Sequence, residues 1–182
     1  MNAAGETIVV WSTFNDDVVA AHAATGAILW RTLAIGEMVR STPAVYEFNA
    51  THAGVLVIGG DAQLWCFDAD TGAKLWAVPT GGKKQEFQSS SPAVFGDLVL
   101  FGSLDQNIKA VRAIDGLAVW QLPTQGTIYS SVHLGAESAA PNATTLGCIG
   151  SDDGTLYVFE AATGKLRWQK NTVRQWRRQV VD

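Results

Sequence analysis

Residues 146–168 read LGCIGSDDGTLYVFEAATGKLRW. An apolar run, LGCIG, gives way to Ser151-Asp152-Asp153-Gly154. The chain becomes apolar again in TLYVFE, breaks at Ala161-Ala162-Thr163-Gly164, and runs on to Trp168. Glycine accepts positive φ at little cost, so Asp-Gly and Thr-Gly between apolar runs mark tight hairpins. The stretch predicts three antiparallel strands joined by two short turns.

Working outward, the same pattern recurs as AHAATGAILW (21–30), FDADTGAKLW (67–76), VRAIDGLAVW (111–120) and FEAATGKLRW (159–168). Trp30, Trp76, Trp120 and Trp168 lie 46, 44 and 48 residues apart. Gly26, Gly72, Gly116 and Gly164 each precede a Trp by four residues, and Ala23, Ala69, Ala113 and Ala161 by seven. Such a period signals stacked supersecondary units.

Each corner is preceded by a strand: TIVVWSTF, GVLVIGG, DLVLFGS or LGCIGSD. A polar turn follows it at Asn15-Asp16-Asp17, Asp61-Ala62, Asp105-Gln106-Asn107 or Asp152-Asp153-Gly154. In the later copies a further strand comes first: STPAV at 41–45, SSPAV at 90–94 and SSVHL at 130–134.

The unit is four antiparallel strands in about 46 residues, the size of a propeller blade. The expected fold is all-β, a β-propeller of four-stranded antiparallel blades. Its boundaries fall near 5–40 (strands two to four only), 41–85, 86–128 and 129–170, with a basic tail at 171–182. Such a segment makes a partial or half ring of an eight-bladed type, or a small closed ring. Gln179-Val180-Val181 falls where the missing first strand of blade 1 would be expected. Each repeated Trp is expected to wedge between blades, taking about 150–250 Å² from water.

Composition agrees with a packed fold. Of the 182 residues, 47% are hydrophobic and only 16% charged, which argues for a buried core rather than disorder. The net charge of −4 divides into −9 over residues 1–164 and +5 over 165–182. An acidic body argues against a general nucleic-acid binder. No apolar run approaches the roughly 20 residues of a membrane span, and MNAAGETIVVW has no signal-peptide pattern. The chain as written is expected to be soluble, in a compartment the sequence does not name. Cys66 and Cys148 hold different repeat positions among strand-like residues and are expected to be buried free thiols.

Blocks 146–168 and GVLVIGGDAQLWCFDADTGAKLW (54–76) resemble the PQQ-like repeat of quinoprotein alcohol dehydrogenase-like propellers. The pattern resembled is G-S-x-D-G-x-L-Y-A-L-D-A-x-T-G-K-x-x-W. Copy three departs from it at Ile114-Asp115-Gly116, and copy one has His22 where Asp is usual. The resemblance implies two classes of function. The dehydrogenases hold pyrroloquinoline quinone and Ca²⁺ on the axis of an eight-bladed ring, with a vicinal disulfide against the quinone. Others carry the repeat without the cofactor. These include a bacterial outer-membrane assembly lipoprotein and the C-terminal propeller of β-alanine-activating adenylate-forming enzymes, where it implies a binding or scaffold role.

The residues favour the second class. No two cysteines are adjacent. A Ca²⁺ site needs several convergent oxygens, whereas Asp61 and Asp152-Asp153-Gly154 already serve repeat turns. Ser89-Ser90-Ser91 and Ser130-Ser131 belong to the first-strand motif. His22, His52 and His133 occupy unrelated repeat positions, so no triad is expected, and no catalytic, metal or cofactor-binding residue is assigned. Asn49-Ala50-Thr51 and Asn142-Ala143-Thr144 match the N-glycosylation pattern but read as polar loop residues. The basic stretch KLRWQKNTVRQWRRQVVD, with Trp168 and Trp176, reads as a frayed end or a diverged closing strand before it reads as an anion- or membrane-binding arm.

The expectation is a non-catalytic propeller module with a protein-interaction or scaffold role, part of something larger and without a cofactor. The alternative is a piece of a pyrroloquinoline quinone- and Ca²⁺-dependent dehydrogenase. The expected partners are a protein, further blades of a parent, or a second copy completing an eight-bladed ring. Exposed blade faces and strand edges favour such association.

Overall fold

The computed structural model describes residues 5–32, 39–82, 90–140 and 142–172. Ser89, Trp176 and the strand expected at Gln179-Val180-Val181 lie outside these residues. The described chain is all-β. Blade 1 comprises β1 (Ile8–Ser12), β2 (Val18–His22) and β3 (Ile28–Arg31). Blade 2 comprises β4 (Ala44–Asn49), β5 (His52–Ile58), β6 (Gln63–Asp68) and β7 (Lys74–Pro79). Blade 3 comprises β8 (Ala93–Phe95), β9 (Leu98–Gly102), β10 (Asn107–Arg112) and β11 (Ala118–Pro123). Blade 4 comprises β12 (His133–Ala136), β13 (Thr145–Gly150), β14 (Thr155–Glu160) and β15 (Leu166–Asn171). The result is one three-stranded and three four-stranded antiparallel sheets, each ordered as in the sequence.

The corners follow from backbone chemistry. Gly26, Gly72, Gly116 and Gly164 have φ of 71°, 71°, 74° and 70°, the left-handed region in which a Cβ is strained. Every blade has a register shift just before its corner, at Ala20/Ala21, Cys66/Phe67, Ala110/Val111 and Val158/Phe159. The same bulge in each copy increases the local twist of the outer hairpin.

Blades join through the tryptophans. Trp30 is 8% exposed, and its indole N–H donates to the Ala69 carbonyl of the next blade at 2.8 Å. Trp76 donates to the Ala113 carbonyl at 3.2 Å. Each ring lies over the next blade's corner glycine, so that a Cβ on Gly72 would sit 2.8 Å from the Trp30 ring. Trp120 covers Gly164 in the same way and meets Phe159 edge-on at 5.6 Å, although its indole N–H has no partner. Trp168 differs from the wedge expected of it: it is 49% exposed. No blade among the described residues follows it to receive a wedge.

Three apolar clusters make up the core, and each joins consecutive blades. Val18, Val55, Val57 and Phe67 lie between blades 1 and 2. Leu56, Leu64, Phe101 and Val111 lie between blades 2 and 3. Leu100, Ile108, Ile149 and Phe159 lie between blades 3 and 4. Among the described residues no such cluster joins blade 4 to blade 1, and the sheets do not close into a ring.

The first strands begin later than the motif suggests, at Ala44, Ala93 and His133. Pro43 and Pro92 have no N–H to give a ladder, and the serines before them are used differently. Ser41 Oγ donates to the Ile58 carbonyl and accepts from the Ile58 N–H, both at 2.9 Å. Ser130 does the same with Gly150, and Ser90 accepts from the Gly102 N–H. The next serine links blades: Ser91 Oγ accepts from the Thr42 N–H, and Ser131 Oγ from the Ser91 N–H.

Candidate functional site

The turn aspartates are bonded within their own blades, and Asp152 and Asp153 also reach back to Thr127 and Gln125. Asp61 accepts from the Trp65 indole N–H at 3.1 Å, Asp105 pairs with Lys109, and Asp153 accepts from the Tyr157 hydroxyl at 2.7 Å. These are one repeated device, a carboxylate answered four residues later by a donor that differs from copy to copy. Burial pushes the Asp105 and Asp153 carboxyls up. Hydrogen bonds, from Lys109 and Ser103 in one case and from Tyr157 and Gln125 in the other, outweigh it and hold both below the usual carboxylate range. Among the described residues no three His, Cys, Asp or Glu side chains converge as a metal would require.

The serines are occupied by the backbone contacts above. The histidines sit apart in β2, β5 and β12. His22 lies 3.3 Å from Glu6 and His52 lies 3.3 Å from Asp68, while His133 lines a shallow hollow on blade 4. None faces one of the motif serines through a hydrogen bond. Cys66 and Cys148 are both free thiols, in separate blades. Burial pushes the Cys66 thiol up to about 12, with the Asp68 carboxylate adding to it. Cys148 is half-buried rather than fully buried as expected. Asn49, the last residue of β4, and Asn142, in the loop between β12 and β13, are both exposed, and Asn49 Oδ1 accepts from the Thr51 N–H at 2.9 Å.

A feature not read from the sequence lies at the outer rim of blades 2 and 3. There residues of β7 and β11 line a cleft of about 410 Å³ with Val78, Pro79, Phe101, Lys109, Val111 and Val119 on its walls. The Lys109 ammonium donates to the Thr80 carbonyl at 2.7 Å and pairs with Asp105. The cleft is of ligand-binding size, and its mostly apolar lining includes Gln121 and Trp120 as well as Lys109. Around it Leu75, Ile114, Leu117 and Val119 are 42%, 60%, 59% and 51% exposed. Valine and leucine in an edge strand look like core residues in a sequence, so only the packing of the two blades reveals the opening.

Comparisons with known proteins place this geometry. A family described as outer membrane protein assembly factor BamB matches residues 1–171. No curated protein sequence matches. BamB from Moraxella catarrhalis is similar in structure at a TM-score of 0.65 and 20% identity, over 89% of this chain and 44% of that one. A europium-containing methanol dehydrogenase is similar at 0.69 and 18%, over 91% and 40%. The quinohemoprotein alcohol dehydrogenase ADHIIG from Pseudomonas putida HK5 is similar at 0.66 and 16%, over 91% and 33%. The chain thus spans less than half of each of these proteins.

Proposed function

The chain belongs to the outer membrane protein assembly factor BamB family of PQQ-like repeat propellers, and from that premise we propose that it is a non-catalytic module that binds protein partners. One observation carries the reading. The aspartates and serines that chemistry could recruit are hydrogen-bonded into their own or the next blade, while the cleft between β7 and β11 and its rim are apolar. A cleft with exposed aliphatic edges suits side chains of another protein. The family's description as an assembly factor supports the same role.

The second reading is a segment of a quinoprotein dehydrogenase, favoured by the similarity in fold to the methanol dehydrogenase. It lacks support from the residues, since Cys66 and Cys148 stand singly and in different blades. Titration of the purified chain with pyrroloquinoline quinone and Ca²⁺, followed by quinone absorbance, separates the two. No saturable binding is expected, and tight stoichiometric uptake would replace the first reading with the second.

A further inference from the structure

The junction between blades 2 and 3 is built unlike those on either side of it. The registers align the third strands residue by residue. Trp65 and Phe67 in blade 2, Lys109 and Val111 in blade 3, and Tyr157 and Phe159 in blade 4 hold the same two places. In each blade this pair lies on the side of the preceding blade. In blade 2 the two rings stack with centroids 5.8 Å apart, and the Lys74 ammonium stands 4.6 Å over Trp65. In blade 4 Tyr157 and Phe159 are 4% and 0% exposed. Blade 3 supplies no ring at either place, and Ala118 stands where Lys74 does.

Lys109, Val111 and Ala118 all line the cleft of about 410 Å³. The cleft is thus lined from the positions with which blades 2 and 4 fill their junctions with rings. A second set of departures borders it. Blade 3 has Ile114 where the other corners have Ala24, Asp70 and Ala162, and Leu117 where they have Ala27, Ala73 and Lys165. Both are exposed, and they flank Asp115-Gly116, whose glycine lines the cleft. Charge is matched too. Asp105 and the Thr80 carbonyl hold the Lys109 ammonium beside the opening, and a cation attracts the face of an aromatic ring.

We infer that this cleft takes one aromatic side chain of a partner protein, a tryptophan or tyrosine flanked by aliphatic residues. The inference rests on the protein-binding role proposed above and names the side chain recognised. The ring enters between Val78 and Val119 with its face toward Lys109, and its polar edge meets the amide of Gln121, which pairs across the strands with Lys109. The aliphatic neighbours cover Ile114 and Leu117.

Two capped heptapeptides test it: Gly-Leu-Ser-Trp-Ser-Leu-Gly, and the same with alanine in place of tryptophan. Each is titrated against the 182-residue chain by ligand-observed NMR. The tryptophan peptide should bind at least about tenfold more tightly. Val119→Glu should abolish the preference. Leu29→Glu, at the same place in blade 1, should leave it intact. Both positions are exposed, so neither change should disturb the fold. Lys109→Trp should return a ring to the junction from within, its indole N–H donating to Asp105 as Trp65 does to Asp61. Peptide binding should then be lost and the thermal midpoint should rise. No binding, equal binding of the two peptides, or a preference that survives Val119→Glu would each overturn the inference. A surviving preference would leave the protein-binding role standing at another surface, and the quinone titration decides that role separately.

Discussion

At the scale of single residues, the turns between second and third strands show how a repeat tolerates imperfect chemistry. Asp16, Ala62 and Gln106 have φ of 64°, 62° and 67°, where blade 4 has Gly154 at 77°. A side chain in this region is strained. Gln106 is exposed, so replacing it removes little packing. Gln106→Gly should therefore stabilise the chain by about 0.5–1 kcal/mol, the relief of strain exceeding the extra unfolded-chain entropy. Urea unfolding would show it as a higher midpoint at an unchanged slope. The cysteines give a second expectation at this scale. Cys66 is buried with its thiol pushed up to about 12, so it holds no thiolate at neutral pH. A disulfide reagent should titrate Cys148 alone in the native chain and Cys66 only after denaturation. From the sequence the two thiols look alike. Both lie on the Trp-bearing face of their sheets, and they differ because blade 3 packs over that face at Cys66 while no described blade packs over it at Cys148.

At the scale of elements, the corner hairpin was almost fully legible. Its Thr-Gly or Asp-Gly turn and terminal Trp are local chemistry repeated four times. The partners of the Trp were not legible, because the Ala69 and Ala113 carbonyls lie in another blade and backbone atoms leave no mark in a sequence. Two glycines of equal φ separate the contributions. Gly116→Ala would place a Cβ 2.7 Å from Val78 Cγ1 and 2.9 Å from Trp76 Cε3, whereas Gly26→Ala would meet nothing within 4 Å. Both incur backbone strain, but only the first must push apart a junction. Gly116→Ala should cost about 1–3 kcal/mol more than Gly26→Ala, and equal costs in thermal unfolding would deny the close approach. In the sequence the serines of the first-strand motif are only part of a repeated strand. The structure gives them a specific task, since Ser41 ties the start of one strand to both polar groups of Ile58. Ser41→Ala leaves those two groups without their hydroxyl partner and should cost about 1–3 kcal/mol. Ser→Ala at the exposed Ser138, outside any such link, serves as the control in the same unfolding assay.

At the scale of the whole molecule, the repeat explains why the turn aspartates and motif serines are hydrogen-bonded within and between blades, and it also predicts how acid acts. Asp68, Asp105 and Asp153 each close a turn, one in each of blades 2, 3 and 4. In all three, burial works to raise the carboxyl. Hydrogen bonds from Thr71 and Asp70, from Lys109 and Ser103, and from Tyr157 and Gln125 prevail and hold it below the usual range. A depressed carboxylate contributes stability that is fully present above its unfolded value, and that stability is lost as pH falls through its folded value. The window therefore opens near the ordinary carboxylate range, about pH 4, and extends below it. Because Asp153 also accepts from the Gln125 N–H of the preceding blade, protonation loosens a junction as well as a turn. Unfolding midpoints in urea should be level from neutral pH down to about pH 5 and then fall steeply. Asp153→Asn should be less stable at neutral pH and should show a shallower fall, because one of the coupled carboxyls is gone. An acid slope as steep in Asp153→Asn as in the wild type would mean that the turn carboxylates are not what couples this propeller to pH.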